Sequence, residues 1–470
     1  MLETALSTRP IPTTRRATPS GVLSGPIAPT MLRLALPTIA VLIVQTLVGV
    51  IETYFVSFLG TEALAGVALV FPLLMLMLMM SNGGFGGGVA SAVARALGAE
   101  RHDDAAALVW HAVVLAGAIG VIFSIAVLVG GPALYRAMGG AGATLAAALT
   151  YSNIVFAGSV PSWLIALLSA ALRGAGQVKV PALVTLAGAV VLIPASPALI
   201  FGWGPLPRLG IAGAATAVLV YNIVAALGLI AYLRSALSPL KLQFARIQAR
   251  LLKDVLGVGL LSAAGTVQLN LTVACVTGIV GLFGADAIAG YGIASRLDYL
   301  QIPLLFGLGT AVVTMVGVNV GAGQIARAQR IAWIGAAIAA GVTELLGLLV
   351  AIFPRVWLGL FSDQPNVLAT GTLYLKTVAP VYGVIGLGMM LYFASQGAQR
   401  VFWPVLAGTV RMIVATLGGW FVVAGLEAGL SALFWTIAAA SILFGGITAG
   451  SVSAGAWRRP ATVDRERRWR

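Results

Sequence analysis

The chain has 470 residues, 60% of them hydrophobic and only 9% charged, with a mean hydropathy of +1.01. A water-soluble fold cannot hide that much apolar surface, whereas lipid accepts it. The net charge of +14 does not mark a nucleic-acid partner, because almost all of it falls between apolar segments, where it meets anionic lipid headgroups.

Residues 1–30 are rich in Thr, Ser and Pro, carry Arg15 and Arg16, and lack the apolar core and small-residue cleavage site of a signal peptide. They are expected to form a disordered cytoplasmic tail. Twelve apolar segments follow, at approximately 34–56, 67–91, 108–130, 151–171, 182–203, 211–233, 255–281, 289–316, 331–353, 374–395, 404–424 and 430–450. Lys and Arg crowd the even-numbered connections and the termini, among them Arg95, Arg101, Arg173, Lys179, Arg246, Arg250, Arg327 and Arg400. The odd-numbered connections hold only Arg136, Arg208, Arg355 and Lys376. The positive-inside rule therefore predicts an integral protein of the cytoplasmic (inner) membrane with both termini cytoplasmic.

The first span contains IAVLIVQTLVGVIETYFVSF (Ile39–Phe58), with Gln45 near its middle and Glu52 towards one end. An ionisable group inside a span is costly and faces a cavity or a pathway unless it reaches an interface. Burial favours the neutral, proton-bearing form of such an acid, so Glu52 is a candidate proton carrier. A sodium ion needs several oxygens. Thr53, Ser196, Thr216 and Asn222 are the nearby candidates, and they form no dense cluster.

Further along, PLLMLMLMM (Pro72–Met80) is a soft face suited to packing, lipid or a promiscuous pocket. SNGGFGGGV (Ser81–Val89) lacks the Lys-Ser/Thr of a phosphate loop and reads as close helix packing. His102, His111 and the single Cys275 make no metal set and no disulfide. No resident cofactor is expected. The connection Ser235–Lys253 has Leu240, Phe244, Ile247 and Leu251 at helical spacing, with Lys241, Arg246, Arg250 and Lys253 between them, and predicts an amphipathic interfacial helix.

The two halves repeat. LGTEALAG (Leu59–Gly66) matches FGADAIAG (Phe283–Gly290), RGAGQVKVP (Arg173–Pro181) matches QGAQRVFWP (Gln396–Pro404), and Gly98–Ala99 matches Gly321–Ala322. The last two pairs share one offset (396 − 173 = 223 and 321 − 98 = 223). Six spans per repeat enter the membrane in the same sense. The expected fold is therefore all-α, with twelve transmembrane helices in two six-helix bundles. A pseudo-two-fold along the membrane normal relates the bundles, and a cavity lies between them. The implied division is 1–30 tail, 31–234 first lobe, 235–253 cytoplasmic amphipathic linker, 254–453 second lobe and 454–470 basic tail.

At that offset Gln45 falls on Gln268, and both amides either line the cavity or bridge helices. Glu52 has no acidic counterpart, since Cys275 or Val276 takes its place. YGIASRLDYLQIP puts Tyr291, Arg296 and Asp298 in the eighth span. Arg296 and Asp298, two residues apart, do not face each other on a helix. They pair with other helices or contact substrate. Asn319 is expected to satisfy a loop carbonyl.

These stretches carry a resemblance. LALPTIAVLIVQTLVGVIETYFVSFLGTEALAG, LRGAGQVKVPALV, GADAIAGYGIASRLDYL, VGVNVGAGQ and ASQGAQR, in that order, make the chain resemble the multidrug and toxic compound extrusion (MATE) family from Met31 to about Ala454. The resemblance implies a twelve-helix antiporter, and not an enzyme, that exports amphipathic, often cationic molecules in exchange for protons or sodium. It implies that Glu52 matches the first-helix carboxylate and Thr216 the sixth-helix polar position. The fifth-helix asparagine and aspartate of many members fall on Leu192 and Ser196, so that part of the cation site is missing. Asp298 could match an acid on the eighth helix seen in some members, whereas the region of Tyr382 supplies none on the tenth. The expected coupling set is Glu52, Thr216 and Ser196. The expected substrate cavity is Gln45, Gln268, Asp298, Arg296, Tyr291 and Tyr382. A monomer in contact with lipid is expected, with protons favoured over sodium as the coupling ion. The competing reading is a flippase for lipid-linked sugars or lipids, whose cavity should be rich in arginine.

Overall fold

The computed structural model describes residues 21–455 and Trp457, and among them all regular structure is helical. Eleven helices are long and apolar enough to cross a membrane. They are α1 (Ile27–Ser57), α2 (Thr61–Gly98), α3 (His102–Ala137), α5 (Lys179–Phe201), α6 (Ile211–Arg234), α7 (Ala249–Gly281), α8 (Ala285–Gly321), α9 (Ile325–Ile352), α10 (Pro365–Gly397), α11 (Phe402–Gly425) and α12 (Leu430–Ser453). The twelfth, α4, is the pair Gly142–Ala157 and Ser159–Gly174, bent by 49° at Gly158. The Leu219 side chain fills the place a Cβ would need there. The Phe156 carbonyl at the break accepts the Ser124 and Ser159 hydroxyls at 2.5 and 2.7 Å. A broken span survives in lipid when neighbours satisfy its backbone in this way.

The helices form two lobes, α1–α6 and α7–α12, and each lobe lends its first helix to the other. Met31, Leu34 and Ala35 at the start of α1 are buried in a core built from α8, α9 and α10, whereas Val48 packs with Ala189, Leu192 and Ala217 of its own lobe. Reciprocally, Leu251 and Val255 at the start of α7 are buried with the core of the first lobe.

The seam between the lobes repeats the two-fold contact by contact. The inner half of α2, Gly86–Gly98, is buried throughout and packs on α8. A Cβ on Gly98 would stand 2.0 Å from the Val318 carbonyl oxygen, and one on Gly321 would stand 2.2 Å from that of Arg95. These are symmetry mates at the offset (321 − 98 = 318 − 95 = 223). Only glycine allows such backbone approach. The Ser91 hydroxyl donates to the Gln396 carbonyl, and its mate, the Thr314 hydroxyl, donates to that of Arg173 at 3.0 Å. α5 and α6 pack within the first lobe, and α10, α11 and α12 chiefly within the second. The lobes are thus clasped at the ends of α2, α4, α8 and α10.

Three expectations are corrected. The tail is not disordered as far as residue 30, because α1 begins at Ile27 and Val22 is buried against α8 and α9. The Asn319 amide donates to the Val22 carbonyl at 3.2 Å, and Arg327 reaches the Val22 and Gly25 carbonyls. The parts of both expected tails at residues 1–20 and 458–470 lie outside the described residues. The connection after α6 is not an amphipathic helix, since no helix forms before Ala249. Ser238-Pro239 breaks the pattern, and tertiary contacts hold an irregular strap instead. Phe244 packs on Trp110 at 4.4 Å and the Gln248 N–H donates to His111 Nε2 at 2.9 Å, while at the start of α7 Arg250 pairs with Asp104 at 2.8 Å. Finally, Arg95 and Arg173, read as loop charge, lie inside α2 and α4 and are 8% and 9% exposed.

Candidate functional site: a cavity in the first lobe

A cavity of about 320 Å³ lies within the first lobe, and not between the lobes as the repeat predicted, walled by α1, α2, α4, α5 and α6 with Phe306 from α8. Its walls are mostly apolar, and its polar groups come from a few helices, the usual composition of a small-molecule site. Gln45 and Glu52 both line it, seven residues and therefore two turns apart on α1. Oε1 of Glu52 is buried with no protein hydrogen-bond partner. Tyr151 of α4 and Tyr221 of α6 share the cavity and lie within range of its charge. The Asn222 amide, also on the wall, donates to Ser162 Oγ at 2.9 Å. At the far end stands Arg173, which also borders the narrow gap where Gly83 and Gly87 of α2 meet Phe306 and Thr310 of α8.

Ser196 and Thr216 do not line this cavity. Leu192 forms the α5 wall, and Ala214 and Val218 form the α6 wall. Ser196 is fully buried with an unpartnered hydroxyl, while Thr216 donates to the Ala212 carbonyl of its own helix at 2.7 Å. Ser196 and Thr216 therefore add no oxygen to the Glu52 cavity, whereas Thr53 and Asn222 do line it.

The second-lobe residues fall into three places. The Asp298 carboxylate accepts hydrogen bonds from the Tyr374 hydroxyl at 2.8 Å and from the Tyr382 hydroxyl. Arg411 of α11 lies within range of that carboxylate and over the Phe444 ring at 5.7 Å. Tyr291 packs edge-on to Tyr374 at 5.3 Å and stacks with Phe434 at 6.3 Å. Arg296 is exposed on the other side of α8, its guanidinium over Phe361 at 5.8 Å, as expected for residues that cannot face each other on a helix. Gln268 donates to Thr409 Oγ1 of α11 at 2.8 Å, so it bridges helices in its own lobe.

Sequence reading missed Tyr151, Tyr221 and Arg173 on the cavity wall, and Tyr374 and Glu344 in the second lobe. Tyr374 is the mate of Tyr151 (374 − 151 = 223), so a repeat-aligned search for polar residues would have found both. Glu344 of α9 caps the break in α10, its carboxylate accepting the Gly383 N–H at 2.7 Å. Pro380 beside that break was the available signal.

A membrane-embedded pair of six-helix lobes with a ligand-sized cavity is the build of a transporter for small molecules. The family model MatE matches residues 37–198 and again 263–421, one match in each lobe. The chain belongs to the MatE family, whose members include multidrug export proteins. It is 26% identical to an FAD transporter of Shewanella oneidensis, over 84% of this chain and 88% of that one. It is 25% identical to a probable multidrug resistance protein, NorM, of Thermotoga maritima, over 93% and 94% of the two chains. Among solved structures, a MATE transporter crystallised in the bent conformation superposes with a TM-score of 0.86, at 24% identity, over 94% of this chain and 99% of that one. An outward-facing multidrug resistance MATE transporter superposes with a TM-score of 0.83, at 23% identity, over 94% and 100%. Both share its fold.

Proposed function

We propose that the chain is a secondary antiporter of the cytoplasmic membrane that exports amphipathic or cationic small molecules in exchange for protons. Glu52 is its coupling carboxylate. The observation that carries the reading is the unpartnered Glu52 oxygen on the wall of a largely apolar cavity. A carboxylate there is stable when it holds a proton or meets a cation, and the two compete for one site. Exchange follows from that competition, because substrate arriving at Glu52 displaces the proton and proton return displaces substrate. The apolar Leu192 wall and the distance of Ser196 and Thr216 from the cavity favour protons over sodium.

Charge asymmetry supports placing the clasped end of the lobes, with both termini, on the cytoplasmic side. The described state is then closed to the cytoplasm. Alternating access requires the Gly98–Val318 and Gly321–Arg95 contacts to part. The chain is proposed to work as a monomer in lipid, since each lobe completes its core with the other. The flippase reading is disfavoured because a single arginine, Arg173, is found on the cavity wall. The test is reconstitution of the full chain in vesicles with imposed proton or sodium gradients. Proton-driven export that is lost in E52Q supports the proposal, and unchanged proton-driven export in E52Q overturns the assignment.

A further inference from the structure

The repeat places Arg173 in the first half where Gln396 stands in the second (396 − 173 = 223). The two side chains meet symmetric surroundings and different fates. Gln396 is held in the seam, its Nε2 donating to the Gly83 carbonyl at 3.1 Å and to Ser262 Oγ at 2.9 Å. Arg173 borders Phe306, the mate of Gly83, and the mate of Ser262 is Ile39 (306 − 83 = 262 − 39 = 223), which has no hydroxyl to offer its guanidinium. The side chain is 9% exposed, its Nε is buried without a partner, and it joins no ion pair among the described residues. Glu52, in the same cavity, is not its counterion.

A guanidinium is always charged, and burying it without acceptors is unfavourable. Glutamine at the mate position shows that a neutral residue of similar length packs in this frame. The charge is therefore unexplained by packing, and its fork is shaped for a carboxylate or phosphate. We propose that Arg173 is an anion subsite at the inner end of the first-lobe cavity, so that the transported molecule is an amphipath bearing a carboxylate or phosphate. The inference rests on the cavity being the transport site. It adds that the apolar body lies against residues such as Phe71 and Leu74, with the anion on Arg173 and any cationic group towards Glu52. Because Arg173 also borders the seam, a bound anion neutralises its charge when the lobes close over it.

The experiment is equilibrium binding to the purified full chain of two matched fluorescent probes, dansylglycine and its methyl ester, which differ in the carboxylate alone. In R173Q the Kd for dansylglycine is expected to rise by roughly tenfold or more while that for the ester stays within about twofold. R173K, which keeps the charge, is expected to retain the preference for the carboxylate. Equal losses for both probes would make Arg173 a structural residue and overturn the proposal, as would no change for either. Displacement of dansylglycine by phenyl phosphate supports a soluble ligand, and displacement only by a short-chain phosphatidylglycerol would overturn that class in favour of lipid. If neither probe binds the unaltered protein, the small-molecule cavity fails and the subsite with it. The readout needs no proton gradient, so failure of Glu52 as coupling residue and failure of Arg173 as subsite are separable.

Discussion

The two lobes each bury a carboxylate beside a symmetry-related tyrosine and treat it in opposite ways. In the second lobe Asp298 is closed in by Tyr374, Tyr382 and Arg411, with Tyr291 and Phe434 packed around them. In the first lobe Tyr151, the mate of Tyr374, faces Glu52 across open space. The position of Arg411 is Gly188 there (411 − 188 = 223), and the Tyr221 ring lies where a Cβ would stand, 2.0 Å from it. One fold thus supports a satisfied acid that staples three helices and an unsatisfied acid that can change its partner. Only the second arrangement is suited to carrying a proton, because a group already saturated with hydrogen bonds gains little from exchange.

The largest expected effect separates these roles. E52Q should lower proton-driven export by roughly tenfold or more with little change in thermal stability, whereas D298N should leave the proton-to-substrate coupling intact and lower stability by about 2–4 kcal/mol. Vesicle flux and thermal unfolding in detergent read the two, and a reversal of the pattern would break the comparison. The pH profile sharpens it: E52Q should flatten the pH dependence of substrate binding and D298N should preserve it. Loss of that dependence in D298N instead would move the coupling site to the second lobe.

The seam tests the two-fold itself. Valine at Gly98 or at Gly321 places a Cβ against a backbone carbonyl of the other lobe, which cannot yield as a side chain can. Each should force the clasped ends apart, and the two should do so to a similar degree. Labelling of a cysteine placed at Ala99, in a variant lacking Cys275, measures the opening. A large effect at one position and none at the other would show that the clasp is not symmetric in energy. Smaller effects are expected from S91A and T314A, each losing one interlobe hydrogen bond worth about 1 kcal/mol, checked by unfolding of the single and double variants. The smallest is D104N, which weakens two partly exposed ion pairs, one within α3 to Arg101 and one tying Arg250 at the start of α7 to α3, and should cost about 0.5 kcal/mol or less.

Sequence reading was strongest where a property is one-dimensional. Span count, the repeat, and the presence of Gln45 and Glu52 inside the first span follow from hydropathy and spacing. It was weakest where two distant segments decide. Residues 235–253 have helical periodicity, yet Trp110 and His111 on α3 hold 235–248 as a strap. Arg95 and Arg173 read as loop charges because they stand near span ends, and they are buried because the other lobe covers those ends. Ser196 and Thr216 sit on the helices expected of a coupling site, but on faces turned from the cavity.

The sequence by itself determined that the protein lies in a membrane, that it is two copies of one six-helix plan, and that its first helix carries an acid where the related position of its seventh holds Cys275 or Val276. Those are matters of composition and repetition, which survive without knowledge of any contact. Only the tertiary structure decided which acid is free and which is saturated, and which arginine is left without a partner at the end of a cavity. The reason is physical: hydrogen-bond saturation and desolvation belong to the neighbours a side chain acquires when helices pack, and residues as far apart as Arg173 and Phe306 become neighbours through the fold alone.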